Sequence, residues 1–555
     1  MTSTANERPP SSWDSETDVI VVGGGFAGLV AAATARGRGS EVIVLEAADE
    51  PGGIMRISSG EYWIPNNAYL REAGIEDPRA DCLRMMARLS YPTRYDPESP
   101  TLGLQDRAFR QISTYYDVAA PAVAELTQIG AMGSVVSDGV TPDGVFNPMG
   151  HLEYHAELPE NKIEYGRALM ADTGGTHGPG QGQQTVDLLV AHGGRAGIDL
   201  RTGHVVNRAF ANARGEVVGV EAQAGGAAKA IRARKGVIFT SGGFFHNAAL
   251  RTLLLRGTVW GATAPYTNTG ALMTIAEQLG ALMENTDSCW WGEMGIEEVL
   301  DAQRSDNMAF WLYGDSMVLV NRYGQRVVNE KAHYNERGRI HSAYNASTKQ
   351  YENNVLFQVY DAAVAGNPEM GVKYPVPFPG ESGEHVITGG TWAELAANID
   401  ARLAKIAART GGVKLDERFA DRLTDTVTRF NSFAVSGHDD DFFRGDRQAE
   451  HGYSVMGLTR GVNRTMYPFA SSGPYYAILI GAAGFDTNGG PGINENAQVV
   501  GPDQEPIGGF YAAGNCAGSP GHGAYWSGGA TLGNALVWAY QAGAHAAGQP
   551  DRDAS

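Results

Sequence analysis

Cysteine is nearly missing from this chain: Cys82, Cys289 and Cys516 are the only thiols in 555 residues. Thiols so scattered exclude a disulfide framework and a cysteine-based metal site, and no metal is expected. Cys516 lies in a glycine-rich segment, where it either touches a ligand or, more simply, fills a small buried gap. Long apolar runs are missing as well. The richest, "YYAILIGAAGF" at 475–485, is much shorter than the roughly 18–20 residues of a membrane helix. The opening segment 1–15, "MTSTANERPPSSWDS", has neither an apolar signal core nor a twin arginine. It reads as a disordered tail on a cytoplasmic protein, and the closing "GQPDRDAS" reads the same way. Positive charge is in deficit, with 43 Lys and Arg against 62 Asp and Glu and a formal charge of −19. That balance disfavours nucleic acid and anionic membrane surfaces as partners. No solenoid-type repeat is present.

What the chain has in excess is glycine, 73 residues, about twice the usual share. The excess is concentrated in a few turns. The most informative is "DVIVVGGGFAGLVAAATARGRGSEVIVLEAAD" at 18–49. Asp18 to Val22 is an apolar run suited to a buried parallel strand. Gly23, Gly25 and Gly28 then match G-x-G-x-x-G, followed by an alanine-rich helix and a second strand ending on Glu46. Gly23 permits the tight turn, Gly25 lets a pyrophosphate approach the backbone, and Gly28 lets helix and strand pack closely. Free N–H groups and a partial positive charge at the helix start suit a diphosphate. Glu46 is placed to accept from ribose hydroxyls and would repel a 2′-phosphate, which disfavours NADP. A Rossmann-like dinucleotide site follows.

The dinucleotide reads as FAD. After Glu46, Gly52 and Gly53 and then Ser58, Ser59 and Gly60 form a second small-residue loop, which a flavin wrapped along its length requires and a nicotinamide does not. No histidine stands beside that loop, which favours noncovalent FAD. Two later segments repeat the strand-then-glycine pattern. Gly236 to Thr240 runs into Ser241, Gly242 and Gly243, and Phe510 to Ala513 runs into Gly514 and Asn515. One sheet built from distant pieces of the chain is implied, with the cofactor lying across it. Between them, "GALMTIAEQLGALMENTDSCWW" opens as a helix, because Leu272, Ile275, Ala276 and Leu279 recur at helical spacing. From about 283 to 467, strands such as "SMVLVNRYGQRVVNE" alternate with longer helical stretches. The expected fold is therefore α/β, a Rossmann-like FAD-binding domain assembled from 16–282 and 468–548, with an inserted α+β cap domain at 283–467.

Over nearly its whole length the chain resembles the fumarate reductase/3-ketosteroid dehydrogenase family of flavoproteins, and within it the 3-ketosteroid Δ1-dehydrogenase branch. The segments that carry the likeness are "GGIMRISSGEYWIPNN", "TNTGALMTIAEQLGALMENTDSCWW", "LVNRYGQRVVNE" and above all "AYWSGGATLGNALVWAYQAG". The resemblance implies an enzyme that desaturates a cyclic ketone, steroidal or a smaller alicyclic one, and passes the electrons to an external acceptor such as a quinone, a dye-like molecule or oxygen. It implies that the Tyr525 hydroxyl and the Gly529 N–H hold the ketone oxygen, that Tyr334 is the base, and that Tyr154 assists it. It extends the cofactor contacts to Phe26, Ala27, Ala47, Val206, Asn268, Ala530, Thr531 and Leu532. Tyr525 and Gly529 also make chemical sense by themselves: removing a proton next to a ketone builds charge on its oxygen, and two preorganised neutral donors lower that barrier. The bland alternatives are packing on the flavin for Tyr525, and a core or lid aromatic for Tyr154. A phenolate base needs its pKa lowered from roughly 10 by nearby positive charge or strong donors, and His333 is the sequence neighbour of Tyr334.

Two departures stand out. Trp526 replaces a common proline and is expected to alter the wall beside the carbonyl site, and Ala271 replaces an aspartate after "NTG". Trp290 and Trp291 either line the cap side or belong to the core. Two rival functions remain. A fumarate-reductase-type ene-reductase would need arginines such as Arg337 or Arg339 against the substrate. A flavin-binding protein without turnover would need neither.

Overall fold

The computed structural model describes residues 8–137, 139–140, 146–150, 152–174, 180–368, 373–381, 383–454 and 457–555. Val19, Ile20 and Val21 are completely buried, and the strand that carries them, Ser15–Val22, lies at the centre of an eight-stranded sheet. Each such side chain contributes about 1.5–3 kcal/mol by leaving water. On one side it pairs in parallel with Ala227–Phe239, which pairs in parallel with Pro506–Ala512; on the other it pairs with Val42–Leu45. The register puts Leu45, Val22, Phe239 and Ala512 in one row. Their glycine turns therefore leave the same edge of the sheet, which is the edge where α/β sheets bind ligands. The strand-then-glycine pattern at three distant points of the sequence is thus one physical feature. Helices Phe26–Gly37 and Ala530–Ala547, both rich in small residues, pack against each other over this sheet.

A second, six-stranded sheet is built around the long strand Tyr475–Thr487. It pairs antiparallel with Cys289–Gly295, Leu356–Asp361 and Ile387–Gly389, and in parallel with Gly261–Ala262; Met317–Val320 adds to Leu356–Asp361. Helices Trp392–Ile406 and Phe419–Ser436 cover it through Leu395, Ile399, Leu423 and Phe430. The sheet is wider than the insertion expected at 283–467, because it recruits strands from both sides of that span. Tyr475–Thr487 is buried at most positions, and a strand apolar on both faces fits either sheet by pattern. The chain returns to the first sheet only at Gln498–Val500.

Both expected tails need correction. Residues 1–7 lie outside the described residues, but Trp13 packs edge-on against Phe210 and the Asp14 carboxylate accepts from the Ala230 N–H at 2.9 Å. At the other end, the Arg552 N–H donates to Arg234 O at 2.7 Å and its guanidinium to Glu216 at 2.7 Å. Polar composition suggested disorder; specific partners on the first sheet hold Trp13, Asp14 and Arg552. No helix among the described residues is long and apolar enough to cross a membrane.

Candidate functional site

A long cleft opens along the glycine edge of the first sheet and runs to the second sheet at Phe485. Gly23, Gly25, Phe26, Ala27, Glu46, Ala47, Gly52, Gly53, Ser58, Ser59, Val206, Ser241, Gly242, Asn268, Gly514, Asn515, Thr531 and Leu532 all line it, as do Tyr334, Tyr525 and Gly529. Gly28, Gly60, Gly243, Ala530 and Tyr154 do not. Gly28 lies behind the turn, where a Cβ would stand 1.8 Å from Gly23 O. Its role is the close packing that the motif's last glycine supplies.

The residues present fit FAD. A Cβ on Gly25 would meet nothing nearer than Gly52 O at 4.0 Å, so it would project into open cleft where a pyrophosphate must approach. The helices starting at Phe26 and Ala530 have glycine N-caps and no side-chain cap, which leaves first-turn N–H groups for an anion or carbonyl. The Glu46 carboxylate accepts from the Gly24 N–H at 2.6 Å and the Ala48 N–H at 2.8 Å. With the Ala47 N–H as a third backbone donor, the two oxygens still keep a lone pair for a ribose hydroxyl. Burial raises the Glu46 pKa, against those backbone donors.

At the other end of the cleft three phenols converge. The rings of Tyr334 and Tyr525 are 5.2 Å apart and nearly perpendicular; Tyr154 lies 6.1 Å from the first and 6.0 Å from the second. Backbone ties fix the cluster. The Tyr154 N–H donates to Ser527 Oγ at 3.2 Å, and His155 Nε2 lies 3.1 Å from Tyr525 O. The Trp63 N–H donates to Gly529 O at 3.0 Å. Gly529 has a φ of 82°, and a Cβ there would press to 2.9 Å on Tyr62 and Trp63, so only glycine fits this cap. Phe310 and Phe485 complete the wall around Tyr334, at 5.3 and 5.5 Å.

Electrostatics divides the phenols. Burial raises the Tyr525 pKa, while hydrogen bonds with Thr531 and Tyr334 oppose the rise, so Tyr525 is a neutral donor at pH 7. Burial first, then the neighbouring Tyr154 and Tyr525, push the Tyr334 pKa well above its ordinary value. The depressed pKa expected of a phenolate base is absent, because the expected positive charge is absent. His333 stacks on Tyr154 at 5.1 Å, is kept neutral by burial, and has no hydrogen-bond partner on either ring nitrogen.

The arginines of the rival reading turn away from the cleft. Arg337 is wholly buried in an ion pair with Glu293 and donates to the carbonyls of Ala309 and Ala332, while Arg339 donates to Gly523 O at 3.0 Å. Among the described residues neither Arg nor Lys lines the cleft. Trp526 is also misplaced by the sequence reading. It does not line the cleft; it packs between Trp63 and Tyr115, and its Nε1 donates to Ser90 Oγ at 2.9 Å. Tryptophan there replaces proline with core packing. Trp290 lies behind Tyr525 at 5.7 Å and donates to Asn515 Oδ1, and Cys516 is a buried filler donating to Phe239 O. Sequence reasoning missed Phe310, Phe485, Glu61, His204 and Asp306, which also line the cleft. Only Glu61 carried a signal, its place directly after the "ISSG" loop.

The sequence pattern of a family described as FAD binding domain matches residues 18–532. The chain is 29% identical to 4-oxocyclohexanecarboxylate 2-dehydrogenase of Sinomonas cyclohexanicum, over 96% of this chain and 93% of that protein. It is 28% identical to 3-oxosteroid 1-dehydrogenase of Mycobacterium tuberculosis (strain ATCC 25618 / H37Rv), over 96% and 99% of the two chains. Among solved structures it is similar to 3-ketosteroid delta1-dehydrogenase from Sterolibacterium denitrificans in complex with 1,4-androstadiene-3,17-dione. That likeness has a TM-score of 0.76 at 21% identity and covers 96% of this chain and 99% of the other.

Proposed function

Given that this chain belongs to the FAD binding domain family and is an FAD-dependent oxidoreductase, we propose that it desaturates a cyclic ketone, steroidal or monocyclic, between the α and β carbons. The observation that carries this reading is the composition of the substrate end: hydrogen-bonded phenols, aromatic walls and, among the described residues, no Arg or Lys. A carboxylate substrate would demand a charged clamp. A ketone asks for neutral donors at its oxygen, and Tyr525 with the Gly529 N–H offers two. Both oblige the developing enolate oxygen more than the ketone, which is what lowers a barrier. Tyr334, in its ionised form, takes the α proton on Oη, and Tyr154, hydrogen-bonded to it, steadies its orientation. The aromatic wall of Phe310 and Phe485 excludes water from the reacting carbons. When bound, FAD supplies the acceptor for the hydride that leaves the β carbon. An external acceptor must then collect the electrons.

The test is anaerobic mixing of the yellow holoprotein with saturated steroidal and monocyclic ketones while the flavin band is followed. Bleaching by ketones is the expected result. Ketones that leave the band unchanged, together with rapid dye-driven reduction of a dicarboxylate alkene, would move the protein to the ene-reductase class.

A further inference from the structure

Asp486 is fully buried at the end of the central strand of the second sheet, yet its bonds reach the glycine edge of the first. Its Oδ2 accepts from the Gly243 N–H at 2.6 Å and from Asn268 Nδ2 at 2.6 Å, and the Asn515 side chain also bonds it. Next to it, Thr487 Oγ1 accepts from the Phe244 N–H at 2.7 Å. A Cβ on Gly243 would stand 2.2 Å from Thr487 Oγ1 and 2.5 Å from Asp486 Oδ1, so the second glycine of "SGGF" exists to let this carboxylate in. Gly242, Asn268 and Asn515 all line the cofactor cleft, and they come from three separate loops.

We propose that Asp486 is the positioning residue that holds these three loops in the shape that receives FAD. The proposal rests on the cofactor and on no choice of substrate. One acceptor serves donors from the turn after Ala227–Phe239, from the loop before Ala271–Gln278 and from the turn after Pro506–Ala512, so it sets their mutual spacing.

The ionised form is required for this. Both carboxylate oxygens accept, Oδ2 from the Gly243 N–H and Asn268 and Oδ1 from the Thr487 N–H at 2.9 Å, so a proton on either oxygen sets a donor against a donor and weakens the network. Burial raises the Asp486 pKa to about 6, opposed by its neutral donors. The titratable group that faces it is the Cys289 thiol of Cys289–Gly295, itself pushed far up by burial; Gly243, Asn268, Asn515 and Thr487 carry no charge. Its charge therefore changes within the range where the folded protein can be handled. If the ionised fraction is the binding fraction, apparent affinity falls with it, about tenfold one pH unit below the pKa.

The experiment dilutes the holoprotein at constant ionic strength between pH 8 and pH 5, and measures FAD released into a filtrate by its fluorescence. The expected result is an apparent Kd about tenfold higher at pH 5 than at pH 7. Asp486→Asn is expected to bind FAD at least tenfold more weakly at pH 7, with no further change on acidification. His204→Gln, at the other end of the cleft, should keep the wild-type slope. A wild-type Kd constant across the range would overturn the proposal, and so would an Asp486→Asn slope equal to wild type or loss of the slope in His204→Gln. Should Asp486→Asn fail to fold, the wild-type series and His204→Gln still decide.

Discussion

A buried phenol can serve a ketone as donor or as base, and the two roles ask for opposite pKa shifts. Tyr525 meets the demand on a donor in the proposed reaction: it is neutral and beside the Gly529 cap. Tyr525→Phe should slow anaerobic flavin bleaching by roughly 10²- to 10³-fold with a smaller change in half-saturation, the scale of losing one oxyanion-hole donor. Stopped-flow bleaching at saturating ketone measures it. Tyr334 has no cation beside it and a pKa well above its ordinary value. If its phenolate is the base, the bleaching rate should climb about tenfold per pH unit from pH 7 to 9 and reach no plateau there, since the ionised fraction grows at that rate. A plateau near neutrality would instead point to His333, whose two ring nitrogens have no partner. Tyr525 and Gly529 were legible because a rare signature names them; Phe310 and Phe485 were not, because an aromatic facing a cleft and one facing the core look alike in a sequence.

Turns and helix starts carry the next set of consequences. The three glycines of the opening motif do different work, and substitution should separate them. Gly25→Val places a side chain in open cleft, so the protein should fold but emerge colourless. Gly28→Ala drives a Cβ into Gly23 O and Thr240 Oγ1 at 1.8 and 2.8 Å, and should lose about 1–3 kcal/mol of stability, the usual cost of overpacking. The absorbance ratio at the flavin and protein bands reads the first, and urea unfolding the second. This motif was readable because each glycine answers a separate steric demand at a fixed spacing. The membership of Tyr475–Thr487 was not, since one of its partners, Gly261–Ala262, lies more than two hundred residues away and its own side chains are apolar on both faces.

Across the whole molecule, charge is buried in clusters under the second sheet. Glu330 lies between Arg326 and Arg444 with Asp439 alongside, and Glu293 lies between Arg337 and His341. Burial works against ionisation of Glu330 and Glu293, but the adjacent guanidiniums outweigh it and both carboxyls lie below their usual range. Depressed carboxyls stabilise above their unfolded pKa and lose that contribution as pH falls through the folded value, so stability should drop steeply below about pH 4. Asp486 has the opposite sign: its contribution is complete below about pH 4 and is lost as pH rises to about 6. Urea midpoints taken from pH 3.5 to 7 should show both limbs, and Asp486→Asn should remove only the upper one. Arg337→Met strands Glu293 without its charge partner and should cost about 3–5 kcal/mol in the same assay. The first sheet has a consequence of another kind. Its central strand is made several hundred residues before the neighbour that completes the cofactor edge, Pro506–Ala512. Until then Ala227–Phe239 presents unpaired N–H and C=O groups along that edge, an invitation to pair with another nascent chain. A translation stall between these two strands would therefore produce a sticky, flavinless intermediate, and the supply of FAD cannot help the chain until Pro506–Ala512 has been made.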